Sequence, residues 1–204
     1  RAKLICLNGG VVAVGLYCDQ TLDDSGESAH GVYLQRLDPS NPNVVNDVVY
    51  SEFMPEQFTS AVFENNSGDE AKEMAFKILK YSPQLVTDVM PLGDTAFIVC
   101  ISSFLRMVEV TNEVGEKSYY NEYKNVFFAR VDASGKIDWI CGTDAGLKER
   151  KVFSYNPTFL NNNEVLTLFN NDDIVGADIN TGVLHESNEF GGHSPYYLFF
   201  DYYI

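Results

Sequence analysis

Apolar and polar residues alternate along most of the chain in short runs that turn residues separate. The first two apolar runs, residues 3–7 and 11–18, flank Asn8, Gly9 and Gly10, which form a strong hairpin turn signal. The second run is apolar on both faces, as expected for a strand that is buried between neighbours. Further runs of this kind follow at residues 32–37, 44–53, 85–90, 96–102, 126–131, 137–141, 152–160, 165–169, 174–179, 183–185 and 196–204. The pattern predicts an all-β chain of antiparallel strands.

One segment breaks the β pattern. Between its polar residues, apolar side chains recur at helical spacing, at Ala71, Met74, Ala75, Ile78 and Leu79. Ser67 and Glu70 have the spacing of a capping box, and Pro83 ends the pattern. We expect a helix over residues 69–80, in a helical insert near residues 55–83, with its apolar face packed on the β core.

A short pattern of residues recurs three times. Residues 31–41 and 125–135 each read as an apolar strand, then Arg, an apolar residue, Asp and a Ser-containing turn, and residues 173–182 form a weaker copy. The three turn aspartates are Asp38, Asp132 and Asp178, which are spaced by 94 and 46 residues. A period near 46 residues, built on strands and turns, is typical of propeller blades. We therefore expect residues 1–204 to form a single β-repeat region of about three to four blades, or part of a longer ring.

The second copy carries a more specific likeness. Residues 126–140 begin with a strand that ends in Arg130, an apolar residue and Asp132. A Ser-Gly turn follows, and then an apolar strand that contains Trp139. This resembles the blades of bacterial β-propeller repeat proteins. Residues 31–41 match the first half of that blade pattern, whereas residues 173–182 lack both the Arg and the Trp. The resemblance implies a large envelope or secreted protein, hence an extracytoplasmic location, and it brings no catalytic residue with it.

Charge and composition narrow the class of partner. The chain has 29 acidic and 14 basic side chains and a net charge of −15, which repels phosphate backbones and argues against nucleic acid as a partner. The chain contains no run of eighteen apolar residues, so the sequence predicts no transmembrane helix. The four cysteines lack C-x-x-C spacing, and we expect buried free thiols, with a disulfide between Cys6 and Cys18 left open.

Two groups of residues are candidates for binding. Asp23, Asp24 and Glu27 place three carboxylates within five residues, and such a loop could supply part of a calcium shell or simply be a solvated turn. Tyr119, Tyr120 and Tyr123 lie in or beside a predicted loop, where they could stack on a sugar or peptide. They could equally be strand residues that pack on the core.

No set of residues specific to one reaction is visible. We therefore interpret the chain as a non-enzymatic binding or scaffold module for an unknown protein, peptide or glycan, with recognition by long loops at residues 19–30 and 111–124. The alternative is a carbohydrate-active enzyme with a pair of acidic residues. That alternative requires convergent carboxylates in one pocket, at least one with a raised pKa. The sequence predicts no cofactor, apart from the calcium that the acidic loop could bind.

Overall fold

The computed structural model describes residues 2–18, 28–38, 40, 45–63, 66–111, 114–144, 158–161, 163–169 and 173–186. The predictions for Asp23, Asp24, Glu27, most of the loop at residues 19–30 and the C-terminal apolar run concern residues outside these ranges. Strands dominate the described chain, and its one α-helix lies where the periodicity places it. The all-β prediction with one helix is therefore confirmed.

The first sheet is a four-stranded antiparallel meander in chain order. It consists of β1 (Ala2–Leu7), β2 (Gly10–Tyr17), β3 (Gly31–Leu37) and β4 (Val45–Glu52). The turn between β1 and β2 contains Asn8 at φ 51° and Gly9 at φ 70°, the left-handed conformation that a tight hairpin requires.

An insert then connects the first sheet to the middle sheet. It contains a 3₁₀ turn (Pro55–Gln57), β5 (Phe58–Phe63), β6 (Asn66–Ser67) and α1 (Asp69–Tyr81). This insert accounts for part of the 94-residue spacing of the first two aspartates, because it adds residues 55–83 between the first two meanders.

The middle and third sheets repeat the meander. The middle sheet has β7 (Gln84–Leu92), β8 (Ala96–Thr111), β9 (Lys117–Asp132) and β10 (Ile137–Asp144), with β5 added parallel to β10 and β6 at the edge. The third sheet has β11 (Thr158–Asn161), β12 (Glu164–Phe169), β13 (Asp173–Asp178) and β14 (Leu184–Glu186). Each of the three sheets thus contains one four-stranded meander.

The helix packs as its periodicity predicts, but it is capped differently. Ala71, Ala75 and Leu79 are fully buried, and Met74 and Ile78 pack against the same core. The N-cap is Gly68 at φ 84°, with no side-chain hydrogen bond to the first turn. The predicted capping box is therefore wrong, because Ser67 pairs as part of β6 instead.

The middle sheet is buried on both faces. On β8, Phe97, Val99 and Ile101 belong to the cluster shared with the first sheet and α1. The alternating residues Ile98 and Cys100 belong to a second cluster, shared with Val165 and Ala177 of the third sheet. The middle sheet therefore lies between the other two, as its continuous apolar runs predict.

The three aspartates occupy equivalent turns. Each ends or directly follows the third strand of a meander and accepts hydrogen bonds from the turn after it. In the first two copies a serine hydroxyl donates to the aspartate at 2.6 Å, from Ser40 to Asp38 and from Ser134 to Asp132. In the third copy the Thr181 hydroxyl donates to Asp178 at 2.9 Å. The predicted structural role of these residues is confirmed.

Equivalent contacts also join neighbouring sheets. Arg36 in β3 donates to the carbonyl of Ala133, directly after the turn aspartate of the middle sheet, at 3.1 Å. Arg130, at the same repeat position in β9, donates to the carbonyl of Ile179, directly after the turn aspartate of the third sheet, at 3.5 Å. Hydroxyls add a second pair of bonds, from Ser51 to the Gly135 carbonyl at 2.6 Å and from Thr59 to the Gly182 carbonyl at 3.1 Å. The two interfaces between sheets are therefore built alike.

Candidate functional site

The predicted loop with the three tyrosines is largely a β-hairpin. Tyr119, Tyr120 and Tyr123 lie in β9 and pair with Glu109, Val108 and Phe104 of β8. The loop prediction for residues 111–124 is wrong for most of this range, because the two strands continue to Thr111 and from Lys117. The strand alternative is confirmed for the backbone, and ligand binding by these tyrosines stays a prediction.

This hairpin extends beyond its neighbours in the sheet. β7 pairs with β8 only as far as Ser103, and β10 pairs with β9 only as far as Asn125. Residues 104–111 and 117–124 therefore form a two-stranded ribbon that no other described strand flanks. Its length is roughly 25 Å by the rise of an antiparallel strand. Register shifts after Ser103 and between Leu105 and Val108 interrupt the ladder within it.

A different set of tyrosines is described in detail, on the outer face of the first sheet. Ile5, Leu7, Val12, Val14, Val32 and Leu34 point into the core, so the alternating residues form the opposite face. On that face the rings of Tyr33 and Tyr17 lie over Gly15 and Gly31, where a Cβ would collide with them. Tyr17 and Tyr50 meet edge to face, with ring centroids 5.2 Å apart. We call Leu4, Tyr17, Tyr33 and Tyr50 the tyrosine face.

The tyrosine face is apolar and accessible. Tyr50 is 62% exposed and Leu4 is 65% exposed, and no other described element covers them. Exposed aromatic residues that cluster on a rigid element are typical of binding surfaces, because they offer large contact areas at low entropic cost. The sequence analysis missed this cluster. Its signal was present in the spacing: Tyr17, Tyr33 and Tyr50 fall on neighbouring strands at positions opposite the core residues.

A separate groove lies within the insert, between the 3₁₀ turn and α1. It has a volume of about 610 Å³ and is lined by Pro55, Glu56, Asp69, Lys72, Glu73, Phe76, Lys77 and Tyr81. Phe76 and Tyr81 were detectable as aromatic residues outside the apolar stripe of the helix. Phe76 is held by an edge contact with Phe58 at 6.3 Å and by Lys80, whose Nζ lies 5.4 Å from the ring centre.

Two carboxylates of this groove are paired with lysines. Lys77 donates a hydrogen bond to Glu73 at 2.7 Å, and this bond, with the charge of Lys77, lowers the pKa of Glu73. A general acid requires a shift in the opposite direction. Asp69 pairs with Lys72 at 3.6 Å. The groove therefore offers paired surface charges around an aromatic ring.

The turn aspartates are also perturbed, for structural reasons. Burial raises the pKa of Asp132, but hydrogen bonds from Ser134, Lys136 and Gly135 outweigh it, and the net shift is downward. Hydrogen bonds from the side chain and backbone of Thr181 lower the pKa of Asp178. These carboxylates are held ionised by their own turns.

Among the described residues, the cysteines and histidines form no metal-binding cluster. All four cysteines are free thiols; Cys100 and Cys141 are buried as expected, whereas Cys6 is exposed. Burial raises the pKa of the Cys141 thiol, which makes it an inert core residue. His30 is buried; its backbone N–H donates to the Tyr17 carbonyl, and its carbonyl accepts from the Phe53 N–H. In the described part of the chain, no three His, Cys, Asp or Glu side chains are placed to hold a metal ion.

Comparisons with protein-family models, with curated proteins and with solved structures find no match. The described residues include no helix with the length and apolar character needed to span a membrane.

Proposed function

We propose that the protein is a non-enzymatic binding or scaffold module whose three meanders are propeller-type blades, of the kind found in bacterial β-propeller repeat proteins. The two matching interfaces between sheets support this. A repeated contact from the Arg of one sheet to the turn of the next is what successive stacking of identical units produces. A blade that lies between two others in a stack is expected to be buried on both faces, as the middle sheet is.

In this proposal the stacked sheets are the rigid framework, and the ribbon of residues 104–111 and 117–124 holds the ligand. The observation that carries the assignment is the length of β8 and β9, which continue past both of their neighbours. An element that projects from a packed sheet contributes little to the core, and its free edges can recognise a peptide or glycan. Tyr119, Tyr120 and Tyr123 are the residues we assign to contact that ligand.

A combined binding and turnover screen tests the proposal. The intact chain is read on peptide and glycan arrays and, in parallel, against a broad panel of glycosidase substrates. We expect binding without turnover, and we expect the binding to fall at least tenfold with Tyr119→Ala or Tyr120→Ala.

Tyr81→Ala is the matched control, because Tyr81 is a 69% exposed tyrosine that belongs to α1 and not to the ribbon. This variant should bind as the wild type does. Hydrolysis of a glycoside that is lost on replacement of one acidic residue would refute the proposal. Equal binding by the Tyr119→Ala, Tyr120→Ala and Tyr81→Ala variants would contradict the assignment to the ribbon.

A further inference from the structure

The ribbon of residues 104–111 and 117–124 has two backbone edges, one on β8 and one on β9. The pairing of β7 and β10 with these strands ends at Ser103 and Asn125, so no described strand flanks either edge beyond these points. In an antiparallel pair, every second residue directs its N–H and C=O away from the partner strand. A row of such groups is a template on which another strand can pair. The two edges of the ribbon differ in how well they are suited to this.

The edge of β8 is interrupted. Arg106 and Met107 of β8 stand opposite the single residue Asn121 of β9. Two residues opposite one form a β-bulge, which bends the strand that carries it and is a common protection of a sheet edge. Pro83, which has no backbone N–H, directly precedes β7 at the point where the ribbon begins on this side. The β8 edge is therefore the less suitable one for an added strand.

The edge of β9 is regular over residues 118–123. The extra residue that β9 contributes to the first register shift, Lys124, lies outside this stretch. The stretch contains no proline and no glycine, and three of its residues are tyrosines, a residue type that favours strands. Six residues of an antiparallel strand span about 20 Å. The β9 edge is therefore long and straight enough to pair with a short extended segment.

An extended polypeptide is the ligand whose own backbone matches such an edge. Its N–H and C=O groups repeat every two residues, or about 7 Å, which is the repeat of the edge itself. A glycan lacks this alternating backbone. A second copy of the chain is a less favourable occupant, because each copy has a net charge of −15 and like net charges disfavour association. The chemistry of the edge therefore favours a peptide from a different protein.

We propose that the β9 edge, residues 118–123, binds an extended peptide of a partner protein as an added β-strand. This inference rests on the proposed function, and it specifies the class of ligand and the mode of recognition. The hydrogen bonds of the added strand supply the affinity, and alternate side chains of the peptide supply the specificity. The tyrosines that we assign to ligand contact belong to this same strand.

N-methylation of the bound peptide tests the mode of recognition on the unmodified protein. Each peptide that binds on the array is synthesised again in two forms, one N-methylated at its odd-numbered residues and the other at its even-numbered residues. Only every second N–H of an added strand points to the edge. One form should therefore lose at least about tenfold in affinity through its missing hydrogen bonds, while the other stays within about twofold. Equal effects of the two forms would overturn the proposal.

A pair of proline variants tests which edge is used. Asn121→Pro places a residue without an N–H in the β9 edge, and Met107→Pro makes the same change in the β8 edge at the same interruption of the ladder. Asn121→Pro should weaken peptide binding at least about tenfold, and Met107→Pro, the matched control, should change it by less than about twofold. Circular dichroism and the thermal unfolding midpoint establish that both variants are folded. Equal losses in the two variants would contradict the assignment to β9.

Amide hydrogen exchange and sedimentation distinguish the remaining occupants. Peptide binding should slow exchange at residues 118–123 of the wild type and leave residues 104–111 unchanged, whereas the reverse would place the peptide on β8 and refute the proposal. A dimer that Asn121→Pro dissociates, without peptide binding, would identify a second copy as the occupant. Binding of glycans alone would overturn this inference and leave the proposed function intact. The absence of any binding on either array would count against both.

Discussion

Tyr33 in the first sheet and Phe127 in the middle sheet stand at the same position of the repeat, yet their surroundings differ. Both rings lie over a glycine, Gly15 for Tyr33 and Gly142 for Phe127. Phe127 is fully buried, whereas Tyr33 is only partly buried. The residue types fit these surroundings. Phe127, which other elements enclose, has no polar group, whereas Tyr33, on a face that no described element covers, carries a hydroxyl that water can reach. The two sheets thus share the strand arrangement of the repeat, whereas the side chain at this position differs with the elements that surround it.

The largest expected difference in stability comes from truncating each of the two rings to alanine. Phe127→Ala should lower the free energy of unfolding by about 3–5 kcal/mol, because it leaves a cavity under the first sheet. Tyr33→Ala should cost about 1 kcal/mol when measured in dilute solution, since only partial burial is lost. Urea unfolding of both variants beside the wild type provides the measurement. Equal costs would mean that the two positions are not distinguished by their cover.

A second test compares two glycines with nearly the same backbone. Gly182 has φ 68° and lies against the middle sheet, where a Cβ would come within 2.6 Å of the Trp139 ring. Gly9 has φ 70° in the turn between β1 and β2, with nothing within 4 Å of the corresponding position. Alanine at either site carries the left-handed penalty, roughly 1–2 kcal/mol.

Gly182→Ala should therefore be the more destabilising variant, by at least about 1 kcal/mol, because it also overpacks the interface between sheets. Thermal and urea unfolding of both variants check this difference. If Gly9→Ala proves equally costly, the contact of the turn with Trp139 contributes nothing to the interface.

Much of this architecture was accessible from the sequence because it depends on local patterns. The alternation of apolar residues located nearly all of the described strands, and the helical stripe at Ala71, Ala75 and Leu79 located the buried side of α1. The repeated aspartates located equivalent turns, because Asp bonds the backbone just after it wherever it stands. These features require no knowledge of distant parts of the chain.

The remaining features depend on contacts between distant residues. Asn112 to Lys117 reads as a loop, and nothing local reveals that β8 and β9 continue on both sides of it as a ribbon. The spacing of Ser67 and Glu70 fits a capping box, but pairing of β6 with β5 takes Ser67 away from the helix. The parallel pairing of β5 with β10 joins residues far apart in sequence. Tyr17, Tyr33 and Tyr50 meet only once the register of the first sheet is known.

The smallest expected effect concerns acid stability of a turn that lies against a neighbouring sheet. Hydrogen bonds from Thr181 lower the pKa of Asp178 in the folded protein. Its unfolded pKa is about 3.9. Because the folded value is the lower one, the carboxylate stabilises the fold above the unfolded pKa, and this contribution is lost as the pH falls through the folded pKa.

Thr181→Val removes one donor and keeps the side-chain volume, so it should narrow the gap between the folded and unfolded pKa values of Asp178. Urea unfolding at pH 7 and near pH 3 should show a smaller loss of stability on acidification for Thr181→Val and for Asp178→Asn than for the wild type. An unchanged pH dependence in both variants would show that the turn does not hold this carboxylate ionised.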